Sequence, residues 1–352
     1  MRKIIIALLI SAFATALCFA GGTREGVNTK VTVIRDGSLT LFTDDLGRMI
    51  NVKAGGFQNV IAATPAAQNY IYAINPDRLF GISSPWPKES RKIVSKAALN
   101  APVYGIFDYM ADSLSYGKIK ASGADAILVV GNVGEYKSEI TALLDEKQEE
   151  LGLPFIFIND EVPYIPTTIS RISLIISSYP NGEDPIEFAE EMLLPLYTTR
   201  NIVSYYYSGT EDGLTAYSEG DINTSVMQFM GLKNVIPAGS TAKMTAKDIR
   251  DANPDLILFD EKSAYDAFLS NAEFKGIRAV QNGDVYLVPN APYNILSEDA
   301  GPGRLIGLQW MRMLAYKNLT MDNVVDDADD FFEEFYHSNL SDAEIKKMLN
   351  MK

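Results

Sequence analysis

The segment TAKDIRDANPDLILFDE, residues 245–261, repeats a phrase met earlier as YGKIKASGADAILVVGN, residues 116–132. Superposed, Ile119 falls on Ile249, Lys120 on Arg250, Asp125 on Asp255, and Ile127-Leu128 on Ile257-Leu258. Each copy reads as a helix with isoleucine toward a core and a charge outside. A turn carrying an aspartate then launches a continuous apolar strand. Such units are common and an echo can arise by chance. Here the strand order around the two copies also matches, and a helical stretch separates them. The repeat therefore predicts two similar lobes.

Strand and helix signals alternate on both sides. VTVI, LTLFTDD and MINVK read as short strands joined by turns. NVIAA, LFGIS, VYGIF, AILVVG and PFIFIND follow as buried strands. PAAQNYIYAI, the region 114–122 and the region 137–150 read as helices, and SSPWPKES as a proline-punctuated loop. TTISRISLIISSY and DPIEFAEEMLLPLYTTR are helical in period, split by Pro180-Asn181-Gly182. Strands resume as IVSYYYS, LKNVIP, DLILFD and VYLVP; GRLIGLQWMRMLAY reads as an amphipathic helix, and two short helices close the chain. Apolar strands alternating with helices predict parallel sheets covered on both faces. The expected fold class is α/β: two Rossmann-like lobes with parallel-rich sheets, joined by a helical connector, with a ligand cleft between them. The expected division is a signal peptide at 1–20, an N-terminal lobe at 21–166, the connector at 167–201, and a C-terminal lobe with a helical tail at 202–352.

The start, MRKIIIALLISAFATALCFA, has a basic head, an apolar run and Cys-Phe-Ala before Gly-Gly, which suits export with cleavage after Ala20. The run is interrupted by Ser and Thr and is short for a membrane span of about 20 residues. Lipidation at Cys18 is the alternative, though Leu17 fits it poorly. Cleavage removes Arg2 and Lys3 and no acid, taking the formal charge from −14 to −16. Such a chain is a poor partner for nucleic acid or anionic lipid. Cleavage also removes the only cysteine, leaving neither disulfide nor thiolate site. The lone histidine, His337, excludes a site of several imidazoles and reads as structural. The acids between Asp326 and Glu334 read as a solvated helix face.

Several phrases, in order, resemble one family: TDDLGRMINV, YAINPDRLFGIS, the two repeat copies, YYYSGTEDGLTAYSEGDINTSVMQFMGLKNVI, NGDVYLVPNAPYN with GRLIGLQWM, and FYHSNLSDAEIKKML. From about Thr43 onward the chain resembles the helical-backbone (class III) periplasmic binding proteins of ABC importers for iron-siderophores, haem, cobalamin and some metal oxyanions. The resemblance implies a periplasmic or extracytoplasmic monomer that captures an iron(III)-siderophore or related chelate. It would deliver this to a permease with its cytoplasmic ATPase, with no catalysis, no cofactor and little cleft opening. A molybdate- or tungstate-like oxyanion is the alternative ligand. The family also places one acid on each lobe against permease arginines. The matching positions here hold Gly117 and Lys247, with Asp248 adjacent, which departs from that pattern.

Open parallel sheets bind ligands beyond the carboxyl ends of their strands. That rule selects Thr64, Ser84, Trp86, Asp108, Tyr109, Asn132 and Asp160 in the first lobe. In the second it selects Tyr207, Thr210, Asp260, Tyr293, Asn294 and Arg304. Trp86, between Pro85 and Pro87, is either a stacking face for a planar ligand or a lid on neighbouring protein. Tyr205, Tyr206 and Tyr207 alternate along a strand, so at least one is core. Arg304 follows Gly-Pro-Gly at a helix start, where it could hold an anion or stand in solvent. Ala216-Tyr217-Ser218-Glu219-Gly220 loosely echoes a hydrolase nucleophile elbow, but the preceding TEDGLT is polar where that motif needs a buried strand.

Overall fold

A computed structural model describes residues 39–134, 136–177, 185–194, 202–240 and 243–351. The export signal with Cys18, the VTVI strand and the Pro180-Asn181-Gly182 break lie outside them. Two four-stranded sheets, parallel throughout, form the frame. The first has the order β4-β3-β5-β6, with β3 Val60–Ala62, β4 Leu79–Gly81, β5 Ala126–Gly131 and β6 Phe155–Asn159. The second has the order β8-β7-β9-β10, with β7 Ser204–Ser208, β8 Lys233–Asn234, β9 Leu256–Phe259 and β10 Val285–Leu287. Taken in chain order within each sheet, both follow the same sequence of neighbours, second-first-third-fourth. An antiparallel hairpin of β1 (Leu39–Thr43) and β2 (Met49–Lys53) precedes them.

The repeated phrase occupies the same place in each sheet. Its helices are Tyr116–Lys120 and Ala246–Ala252, and its strands are β5 and β9, the third of each set. Ile119 and Ile249 are both fully buried. The Asp125 carboxylate accepts N–H bonds from Gln58 (2.9 Å) and Asn59 (3.0 Å), just before β3. The Asp255 carboxylate accepts the N–H of Ser204 (2.9 Å) and its hydroxyl (2.7 Å) at the first residue of β7. In both lobes the repeated aspartate therefore holds the start of the neighbouring first strand in register.

Strand residues alternate between two cores, because successive side chains leave a strand on opposite faces. Ile127 and Val129 pack outward with Ile119, Ile140 and Leu144, while Leu128 and Val130 face a core continuous with Leu256 and Leu258 of the other sheet. Tyr206 joins the second lobe's outer core, while Tyr205 and Tyr207 join the shared one. Burial on both faces is why these strands are continuous apolar runs. Helices Ile165–Ile176 and Pro185–Leu193 lie between the two sheets in sequence and pack on each other.

Three expectations are corrected. VYGIF is not a strand: a single parallel bridge joins Val103 to Ile82, and the chain then bends at Gly105 (φ +101°), where an added Cβ would lie 2.2 Å from the Ser113 carbonyl oxygen. Helix Arg304–Met311 is not amphipathic, since all of its residues are buried. The first closing helix, Met321–Tyr336, is sixteen residues long and buries Val324, Val325, Ala328, Phe331, Phe332, Phe335 and Tyr336 along one face.

Candidate functional site

The carboxyl ends of both sheets meet one segment, residues 291–304, which leads from β10 to helix Arg304–Met311. Beyond β9, Asp260 receives the Tyr207 hydroxyl at 2.6 Å, the Tyr217 hydroxyl at 3.0 Å and the Asn294 amide at 2.6 Å. Four residues after Asn294, Glu298 accepts the backbone N–H of Asn132 at 2.6 Å, just past β5. The close approach requires Gly131, where a Cβ would lie 2.9 Å from the Glu298 oxygen. The segment then packs along helix Pro65–Ile74, with the Asn69 amide donating to the Asp299 carbonyl at 2.8 Å.

Next to this line of polar groups stands a ring pair. The Phe107 N–H donates to the Ala63 carbonyl (2.7 Å), which fixes the following residues above the end of β3. Tyr109 and Tyr136 meet there with ring centroids 4.6 Å apart. Asp108 accepts the N–H groups of Met110 and Ala111, a turn that leaves Met110 79% exposed. Tyr136 and Ile106 are also exposed. The strand ends thus present an apolar and aromatic shelf beside carboxylates and amides.

Burial sets the electrostatics of the acids. Glu298 is pushed up to about 7, chiefly by burial, against the Asn132 N–H that stabilises its charge; Asp160 raises it further and Arg304 opposes that. Asp260 is also raised by burial, although its three donors favour the carboxylate. An acid whose folded pKa is raised contributes stability that is complete below its unfolded value, ordinarily 4.5 for Glu298, and that is lost as pH rises through about 7. Glu298→Gln keeps an acceptor for Asn132 without the charge. The variant is expected to gain about 1–3 kcal/mol over the parent at about pH 8, and little at about pH 4.5, in urea unfolding. An equal difference at both pH values would show that the carboxylate is not held in this environment.

The other sequence candidates fall into two groups. Tyr109, Asn132, Asn294, Asp108, Thr210 and Asp260 stay at least partly accessible around the strand ends. Trp86, Tyr207, Tyr293, Asp160 and Arg304 are buried within the protein, and Thr64 and Ser84, partly accessible, are engaged there by hydrogen bonds. Thr64 caps helix Pro65–Ile74 and donates to the Val130 carbonyl at 2.8 Å. Trp86 is 7% exposed, donates its indole N–H to the Ala98 carbonyl at 3.1 Å, and packs on Tyr72 and Tyr293. The lid alternative describes it, and the expectation of ligand stacking is withdrawn. The Tyr293 hydroxyl accepts from Gln68 at 3.2 Å and bonds with Ser84, closing a seam between the first sheet's helix and the 291–304 segment.

Arg304 requires the clearest correction. Its guanidinium is fully buried and pairs with fully buried Asp160 at 2.5 Å, while also donating to the Asp160 and Gly301 carbonyls. Tyr70 donates to the same carboxylate at 2.7 Å. The charge expected to receive an anion is already neutralised inside the fold. Ser218 gains no elbow either: isolated bridges at Thr215 and Ala216 precede it instead of a strand, and neighbouring Tyr217 donates to Asp260. Glu298, Tyr136 and Tyr217 were missed. Tyr136 stood four residues beyond the selected Asn132. Glu298 carried no local signal, because only the fold brings it to Asn132. Among the described residues no cluster of His, Cys, Asp and Glu suits a metal ion, and no helix is long and apolar enough to cross a membrane.

No family model matches the sequence, and no curated protein matches it. Solved structures do. An ABC transporter solute-binding protein from Sulfurospirillum deleyianum superposes with a TM-score of 0.74 at 18% identity, over 88% of this chain and 99% of that one. A periplasmic solute-binding protein from Veillonella parvula gives 0.68 at 19% identity, over 89% and 97%. A molybdate-bound periplasmic binding protein of a Haemophilus influenzae ABC transporter gives 0.62 at 15%, over 86% and 99%. The fold is therefore that of the periplasmic solute-binding proteins of ABC transporters, as the sequence resemblance implied.

Proposed function

We propose that the chain is the extracytoplasmic solute-binding component of an ABC importer, and that it captures an iron(III)-siderophore or related metal chelate for a membrane permease. The observation that carries this reading is the shared segment 291–304. It receives the carboxyl ends of two like-ordered parallel sheets, where such sheets bind ligands, in a fold shared with solute-binding proteins. In this reading the protein is a carrier without catalysis. Residues 1–20 are its export signal, 21–166 and 202–352 its lobes, and 167–201 the connector. Exposed Tyr136 and Met110, with partly exposed Tyr109, supply area for a bulky organic ligand, and exposed Asn132 supplies hydrogen bonds.

A metal oxyanion is the second reading, favoured by the molybdate bound to the Haemophilus influenzae protein. Against it stands Arg304, whose charge is consumed by Asp160. Native mass spectrometry of protein purified from its own host is expected to reveal one bound chelate per chain, with calorimetry confirming a single site. Tight binding of molybdate with no chelate bound would reverse the two readings. An empty protein that binds neither would sink both.

A further inference from the structure

We propose that the site selects against anionic ligands, with Glu298 as the residue that enforces this, so that the chelate it takes is neutral or cationic. The inference rests on the solute-binding reading and narrows its ligand class. Three observations support it. First, three acids stand at the strand ends, Asp108 beyond the first sheet, Asp260 beyond the second and Glu298 on the segment that both meet, while of the lysines in the same loops Lys262 is paired with Asp266 and Lys137 follows Tyr136 at the outer start of its helix. Second, Arg304 on this segment is fully buried and paired with Asp160, and Arg171, also buried, is paired with Asp45 at the end of β6, so neither offers a ligand net attraction. Third, Glu298 is held in place by a specific fit. The Asn132 N–H fixes one oxygen, and Gly131 leaves room where any side chain would push it away. It lies between the tyrosine pair, which begins past β3 and β5, and the Asn294–Asp260 cluster past β9. In this proposal a ligand spanning these two groups lies beside the carboxylate. Like charges at such short range in a partly desolvated cleft repel, and salt screens the repulsion.

The test compares three iron chelates of similar size at about pH 8, where Glu298 is ionised: ferrioxamine B, a monocation; ferrichrome, neutral; and ferric enterobactin, a trianion. Calorimetry on the intact mature chain is expected to rank the cation and the neutral chelate above the trianion. In Glu298→Gln, the trianion is expected to gain about three- to tenfold in affinity, the cation to lose a similar factor, and the neutral chelate to stay within about twofold. Salt titration of the unmutated chain supplies a check independent of any variant. Raising ionic strength should weaken the cation and strengthen the trianion. Tightest binding of the trianion, weakened by salt and unchanged in Glu298→Gln, would overturn the inference and leave the chelate-carrier reading standing. Binding of none of the three would overturn the iron-chelate reading itself, and the inference with it.

Discussion

Arg304→Ala is expected to lower the free energy of unfolding by about 3–5 kcal/mol, the scale for breaking a buried ion pair from one side. Asp160 is fully buried and receives Tyr70 as well as Arg304, and burial already raises its pKa despite both partners. Without the guanidinium it is expected to hold a proton at neutral pH, which limits the damage. Asp160→Asn removes the opposite partner. Arginine does not release its proton at ordinary pH, so an uncompensated buried cation remains. That variant is therefore expected to be at least as unstable as Arg304→Ala. Replacing both residues with apolar ones of similar size is expected to recover much of the loss. Urea unfolding of the three proteins decides this, and a loss below about 1 kcal/mol in both single variants would show that the pair is not a closed structural contact. The measurement also bears on the site, because an arginine free to meet a ligand would be nearly neutral for stability.

Gly56→Ala is expected to cost about 2–5 kcal/mol, combining overpacking with a left-handed backbone. Gly56 lies at φ +70° against the end of helix Ile165–Ile176, where an added Cβ would stand 2.4 Å from the Ile176 carbonyl carbon and 2.5 Å from the Ser177 nitrogen. Those atoms are backbone and cannot swing aside. The next residue, Phe57, donates its N–H to the Ile175 carbonyl at 2.9 Å, so any shift at Gly56 also loosens the bond that caps this helix. Gly55 is the internal control. It has a similar φ of +83° with open space around it, and Gly55→Ala is expected to cost only about 1 kcal/mol. Thermal unfolding of the two variants separates contact from backbone strain. Equal losses would mean that the helix end does not press on Gly56.

The local periods of the sequence were readable because they reflect neighbours a few residues apart. PAAQNYIYAI became a helix with its predicted bounds, capped by the threonine before it. AILVVG and DLILFD became central strands because both of their faces are covered. VYGIF failed for the opposite reason. Its apolar residues suit a strand, but Gly105 turns the chain onto Ser113 and only one bridge forms. Of the candidate site, Tyr109, Asn132 and Asn294 were selected by the rule that ligands sit beyond strand ends, and the fold leaves them at least partly accessible there. The same rule also selected Trp86, which the fold buries, because a proline-flanked tryptophan looks the same in sequence whether it faces a ligand or the ring of Tyr293.

By itself, then, the sequence determined the alternation of elements, the duplication and the part of the repeat that matters most. Asp125 and Asp255 sit at equal offsets before their strands, and each closes onto the backbone of an adjacent strand. Only the tertiary structure decided which charges remain available. Asp160 and Arg304 are 144 residues apart, and neither position signals the other, yet their contact cancels the cation that the sequence offered to an anion. Glu298 reaches Asn132 across 166 residues by the same route. Helix and strand period is fixed by backbone geometry within a few residues. The charge that a cleft presents is fixed by which side chains the fold neutralises, and that is a property of contacts between distant segments.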